Sequence, residues 1–141
     1  NRESEDGMEN WKEYKKGVIP KGKYIAKVVC GDSHLLTVEL KSDKTRIILG
    51  FGRCETIRIF ERKFVNLDLY ENIEDLKKDN FSNVIYEVEG GKYLKEVILY
   101  SAGFLDQPYV KQYTIITDNL LIDAVYLGEP FSLLKRIYKL D

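Results

Sequence analysis

The chain has 141 residues, 44% hydrophobic and 32% charged, and a formal net charge of −1 from 22 basic and 23 acidic side chains. A single domain of this length buries roughly 68–70% of its unfolded surface and needs no disulfide scaffold to do so. The charge balance excludes a general attraction to nucleic acid or anionic lipid, and no run approaches the ~20 apolar residues that span a bilayer.

Residues 1–8 read as a flexible polar tail without the apolar core of a signal peptide, and 9–141 as a single α+β domain. Glu9 to Lys16 is predicted as a short helix with Trp11 and Tyr14 on one face, stopped by Gly17 with Pro20 beyond. Such a helix is too short to stand alone, so Trp11 is expected to dock on the main body. Tyr24 to Cys30 and Leu35 to Lys41 read as strands around a Gly31-Asp32-Ser33-His34 turn. In the second of them Leu36, Val38 and Leu40 alternate with polar residues, the pattern of a half-buried strand. Thr45 to Phe51 is a third strand, where Gly50 and Gly52 around Phe51 predict a bulge or a close backbone approach. Cys54 to Phe60 is a fourth, with Ile57 and Ile59 on one face and Arg58 on the other.

Asn72 to Lys78 has a capping residue at its start, early acids and late lysines, which predicts a short helix. Val84 to Val88 is β-prone, and Leu94, Val97, Ile98 and Ser101 form a helical stripe ended near Gly103, in a window whose β-branched residues leave a strand as the alternative. Tyr113 to Val125 is the most informative stretch. Two apolar, β-prone runs flank Asp118-Asn119, which predicts a hairpin with a two-residue turn and both faces covered. Gly128-Glu129-Pro130 ends it, and Phe131 to Leu140 is amphipathic with its type left open. The sum is an antiparallel sheet of about six strands with two or three short helices packed on it.

Chemistry-bearing motifs are sparse. Cys30, Asp32 and His34 lie within one short stretch, but zinc sites draw four ligands, or three and a water, from paired motifs. The stretch therefore reads as a surface turn, and no metal or other cofactor is expected. Cys30 and Cys54 both fall in predicted strands and are expected as buried thiols, too few for a secreted scaffold, which points to the cytoplasm. No GxSxG, GxGxxG, Walker or HExxH pattern occurs.

Asp123 is the most interesting carboxylate. Counting back from the Asp118-Asn119 turn places it opposite Thr114, with apolar Leu121 and Val125 on its own face. It is then either a tuned, ligand-binding acid or a structural one bonded to Thr114 or a nearby cation. Arg58, in an otherwise apolar strand, invites a bidentate pair with Glu61 or Asp123; the alternative is an exposed face shared with Arg53, Glu55, Arg62 and Lys63. Ten tyrosines are the compositional oddity, and Tyr93, Tyr109 and Tyr113 are candidates for a protein-binding face.

The succession Phe51-Gly52, Arg58, Glu61, Val84 to Glu89, Tyr93-Leu94-Lys95, Tyr113 to Thr117, Ile122 to Val125 and Glu129-Pro130 resembles a group of small bacterial proteins. These are uncharacterised or immunity-type α+β proteins found with toxin systems. The pattern departs at Gln112, where a His is expected before Tyr113, so any role of that His is absent. The resemblance implies a cytoplasmic, non-enzymatic protein-binding module, an immunity protein that inhibits a cognate toxin, with a protein partner and no nucleic acid or membrane. The alternative is a small-molecule binder or small enzyme with a pocket around Asp123, Arg58 and Glu61.

Overall fold

The computed structural model describes residues 9–32, 35–128 and 134–140. Among them are nine strands: β1 (Asn10–Glu13), β2 (Ile25–Cys30), β3 (Leu35–Lys41), β4 (Thr45–Arg53), β5 (Thr56–Glu61), β6 (Ile85–Glu89), β7 (Val110–Ile116), β8 (Leu120–Leu127) and β9 (Leu134–Lys139). Two short α-helices, α1 (Glu74–Lys78) and α2 (Lys92–Tyr100), and two 3₁₀ turns, Arg62–Phe64 and Leu67–Leu69, complete the set. The α+β, antiparallel expectation holds. The strand number does not: nine strands form two sheets, in the orders β1-β6-β7-β8-β5 and β2-β3-β4-β9, rather than about six in one.

Two of the strands come from segments not predicted as such. The segment expected as a helix from Glu9 to Lys16 instead pairs β1 with the edge of β6, Trp11 opposite Val88. A helix of about two turns closes few hydrogen bonds, whereas four residues laid on an open sheet edge gain ladder bonds and bury Trp11 as well. Trp11 and Tyr14 then serve different clusters, the outer face of the five-stranded sheet and the core between sheets. The last segment, of open type in the sequence, closes the second sheet as β9 against β4. Residues 1–8, His34 and Glu129-Pro130 lie outside the described residues, so the tail, part of the first turn and the hairpin exit are not placed.

The two sheets face each other through Ala26, Leu36, Val38, Leu40, Ile47, Leu49 and Phe51 from one, and Ile85, Tyr113, Ile115, Ile122, Ala124 and Tyr126 from the other. Strand alternation produces this core directly, because every second side chain of β3, β4, β7 and β8 points inward. The predicted bulge is present: Leu36 pairs with Gly52 and Thr37 with Gly50, which leaves Phe51 as the extra residue. Gly52 has φ +70°, a conformation that favours glycine, and Phe51 is driven into the core as the chain crosses from one sheet to the other.

The hairpin forms as its sequence requires. Thr117 N–H donates to the Leu120 carbonyl across Asp118-Asn119, and Thr114 stands opposite Asp123. Both faces of β7 and β8 are buried because the five-stranded sheet carries a second layer on its back. One cluster there, with Trp11, Ile73, Phe81, Tyr86, Ile116 and Leu121, lies under α1 and the 3₁₀ turns. The other joins Tyr93, Val97, Leu105, Val110 and Val125 under α2. Helix α1 begins at Glu74, with Ile73 and not Asn72 in the capping position. Asn72 has φ +59° and uses its amide to donate to the Glu9 carbonyl.

Candidate functional site

Between these two outer clusters runs a polar seam, and Asp123 is at its centre. Strand period two puts Asp123 between Leu121 of one cluster and Val125 of the other, so its side chain emerges where the helical layer is divided. Asp123 is 1% exposed. Its Oδ1 accepts from Thr114 Oγ1 at 2.6 Å and Gln112 Nε2 at 3.2 Å, and its Oδ2 accepts from Arg58 Nε at 3.1 Å and Nη2 at 2.8 Å. Burial pushes the Asp123 carboxyl above its ordinary value, against the opposing pull of Thr114, Arg58 and Gln112. All of its acceptor positions face protein donors, as a buried charge requires.

Arg58 reaches Asp123 because the two are directly paired in the β5–β8 ladder. Its guanidinium carbon lies 4.5 Å from the Tyr93 ring centroid and 4.8 Å from that of Phe60. These rings hold it by cation–π contact while Asp123 fixes its inner edge. The remaining nitrogen, Nη1, donates to Glu96 Oε2 at 3.1 Å. Tyr93 is itself anchored by a 2.6 Å hydrogen bond between its hydroxyl and Thr56 Oγ1.

Gln112 links this seam to α2. Its Oε1 accepts from the Leu94 N–H at 3.0 Å, and Glu9 Oε2 accepts from the Lys92 N–H at 2.8 Å. Two of the orphan donors in the first turn of the helix are thereby satisfied, with a carboxylate at the positive end of its dipole. Gly91, just before the helix, is where a side chain would collide with the Gln112 amide.

Above Arg58 opens a cleft of about 370 Å³, whose walls are the 3₁₀ segment and α2 and whose floor is β5. Phe60, Phe64 and Leu69 line it, with Phe64 75% and Leu69 62% exposed. Lys92 and Glu96 stand on the helix side, and Asn66 and Tyr70 on the other. Burial pushes the Tyr70 phenol up to about 12, with the Asp123 charge adding to the shift, so it presents a neutral hydroxyl.

Of the residues singled out in the sequence, Arg58, Asp123 and Tyr93 meet here. Glu61 does not: it lies three positions from Arg58 on a strand, hence on the opposite face, and its carboxylate is 3.5 Å from Lys63. A pocket built on Asp123, Arg58 and Glu61 together is therefore corrected: Arg58 and Glu96 line the cleft, and Asp123 lies behind Arg58, out of reach of the cleft. Tyr113 is 1% exposed in the core between the sheets, so it offers no binding surface. Tyr109 is exposed but outside the cleft. Cys54 is buried as expected, whereas Cys30 is exposed at the end of β2.

Sequence reasoning missed Glu9, Gln112 and Glu96. Gln112 is recoverable from strand period alone, because it shares a face with Thr114. Glu9 and Glu96 are brought in by β1 and α2, and no local signal marks them. Among the described residues no group of three His, Cys, Asp or Glu side chains could hold a metal ion, and no helix is long and apolar enough to cross a membrane. Comparison with protein-family models, with curated proteins and with solved structures finds no match for this chain.

Proposed function

We propose that this chain is a non-enzymatic module that binds a protein partner over the Arg58 cleft. The observation that carries the reading is the exposed ring of Phe60, Phe64 and Leu69 around a guanidinium clamped between two aromatic rings. Folding gives no reason to leave large apolar side chains together in water, and such a patch marks an interaction surface. Arginine and aromatic residues in a preorganised pocket are also the side chains that dominate protein interfaces. Asp123 supports the non-enzymatic part: with 1% exposure and its oxygens occupied by Thr114, Gln112 and Arg58, it has no open position for a substrate. The resemblance to immunity-type proteins supports a toxin as the partner class, and the scarcity of cysteines supports the cytoplasm as the compartment. Complementary charge around the cleft would then speed association and select the partner.

The test is affinity capture from native lysate with the tagged protein and with a Phe64→Asp, Leu69→Asp variant, quantified by mass spectrometry. One stoichiometric protein retained by the wild type and lost by the variant is expected, and co-expression should relieve growth arrest caused by that protein. Equal capture by both forms would move the interface off this cleft.

A small-molecule reading has one observation in its favour, since a cleft of about 370 Å³ lies within the usual range for ligand pockets. It keeps Arg58, loses Glu61 and leaves Asp123 beneath the floor. Saturable binding of a metabolite, with no protein captured, would favour it.

A further inference from the structure

We propose that the cleft receives a carboxylate side chain flanked by an apolar residue on the protein partner, and that Glu96 occupies the place this carboxylate takes. The inference rests on the protein-binding reading and names the chemistry that site recognises. Arg58 is preorganised for the task. Tyr93 and Phe60 hold its plane, and buried Asp123 holds Nε and Nη2, so only the edge at Nη1 is turned to the cleft. A guanidinium so fixed loses little rotamer freedom when a carboxylate arrives.

The two acids on Arg58 are not equivalent. Asp123 has a side-chain exposure of 2% and three protein partners, whereas Glu96 is 54% exposed and reaches one guanidinium nitrogen. An exposed ion pair contributes little to stability, so Glu96 is readily exchanged and Asp123 is not. One carboxylate replacing another conserves the charge at the site. A phosphate would bring a second negative charge that the two acids already on Arg58 oppose.

Lys92 supplies the second attraction. Its Nζ donates to the Leu69 carbonyl at 2.7 Å, and among the described residues no carboxylate forms an ion pair with it. The incoming group thus meets Arg58 on the floor and Lys92 at the mouth, while Phe64 and Leu69 receive the neighbouring apolar side chain.

Amide-proton NMR titration with acetyl-Leu-Glu-Phe-amide tests this, with the Leu-Gln-Phe analogue and hydrocinnamate as controls. The Glu peptide should shift the Arg58 Nε–H and the Lys92 amide saturably, and the Gln peptide should bind about tenfold more weakly. Glu96→Gln should tighten the Glu peptide about three- to tenfold and leave the Gln peptide unchanged. Equal affinity for the two peptides, no gain from Glu96→Gln, or no saturable shift up to about 10 mM overturns the inference. Hydrocinnamate binding as tightly as the tripeptide also overturns it, by assigning the site to a small free acid. Failure here is distinct from failure of the binding reading. A captured partner lost with Phe64→Asp but indifferent to Glu96→Gln and Arg58→Gln would keep the interface and remove the carboxylate.

Discussion

Arg58 stands directly opposite Asp123 in the β5–β8 ladder and gives two nitrogens, Nε at 3.1 Å and Nη2 at 2.8 Å, to the same carboxylate oxygen. The partner oxygen belongs to Thr114 and Gln112, so one buried acid ties three strands together. Asp123→Ala removes an acceptor for all of these donors and strands a partly buried guanidinium, at an expected cost of about 3 kcal/mol in urea unfolding. Asp123→Asn retains one oxygen and should cost less. Equal losses from the two would mean that charge and not hydrogen bonding holds the seam.

The pH dependence of that difference is also determined. Burial raises the Asp123 pKa, so its contribution to stability is full below the ordinary carboxylate value and is lost as pH rises through the raised one. Asparagine lacks this titration. The stability deficit of Asp123→Asn should therefore be largest below the ordinary carboxylate value and shrink on going to neutral pH. A deficit that grows with pH would show that Arg58 outweighs burial.

Gly91 and Gln112 should be coupled. A Cβ at position 91 would meet Oε1, Cδ and Nε2 of Gln112, an amide held in place by Leu94 N–H, Thr114 and Asp123. Gly91→Ala is expected to cost about 1–3 kcal/mol by overpacking, since its φ of −66° is open to alanine and only the collision opposes it. In a Gln112→Ala background the same change should be nearly neutral, a non-additivity that a double-mutant cycle measures. Additive costs would place the strain in the backbone instead.

Asn119, in the hairpin turn of one sheet, reads the edge of the other. Its Oδ1 accepts from the Ala26 N–H at 2.8 Å and its Nδ2 donates to the Ala26 carbonyl at 3.0 Å, as a neighbouring strand would. Asn119→Asp turns the donor into an acceptor facing that carbonyl and should cost about 2 kcal/mol. Hydrogen exchange should show the Ala26 amide losing protection while Val38, in the centre of the sheet, keeps it. Unchanged protection at Ala26 would falsify the proposed strap between the sheets.

The two thiols should differ in reactivity. Cys30 is exposed, while burial pushes the Cys54 thiol up to about 11 and leaves it almost wholly protonated at neutral pH. A disulfide reagent should therefore label one thiol per folded chain and two after denaturation. Rapid labelling of both in the native state would contradict the placement of Cys54.

The local elements are largely legible in the sequence where hydrophobic period and turn chemistry agree. Asp118-Asn119 between two apolar runs determines the hairpin, and counting from the turn determines that Asp123 faces Thr114. The paired glycines around Phe51 announce the bulge, and the Leu94, Val97, Ile98 stripe announces α2. Period two also separates Glu61 from Arg58, since residues three apart on a strand cannot share a face. What tertiary structure alone decided was where distant segments meet. Asn10 to Glu13 became a strand because β6 offered an open edge, an opportunity invisible to helix propensity. Two sheets formed in place of one because the chain crosses over after Phe51. Arg58 and Asp123 lie 65 residues apart, and the long-range pairing of β5 with β8 put them side by side. Glu9 arrives just ahead of β1, and Lys92 and Glu96 both arrive on α2. Local sequence controls backbone dihedrals and side-chain alternation within a few residues, whereas a site made by packing depends on contacts that only the folded chain creates.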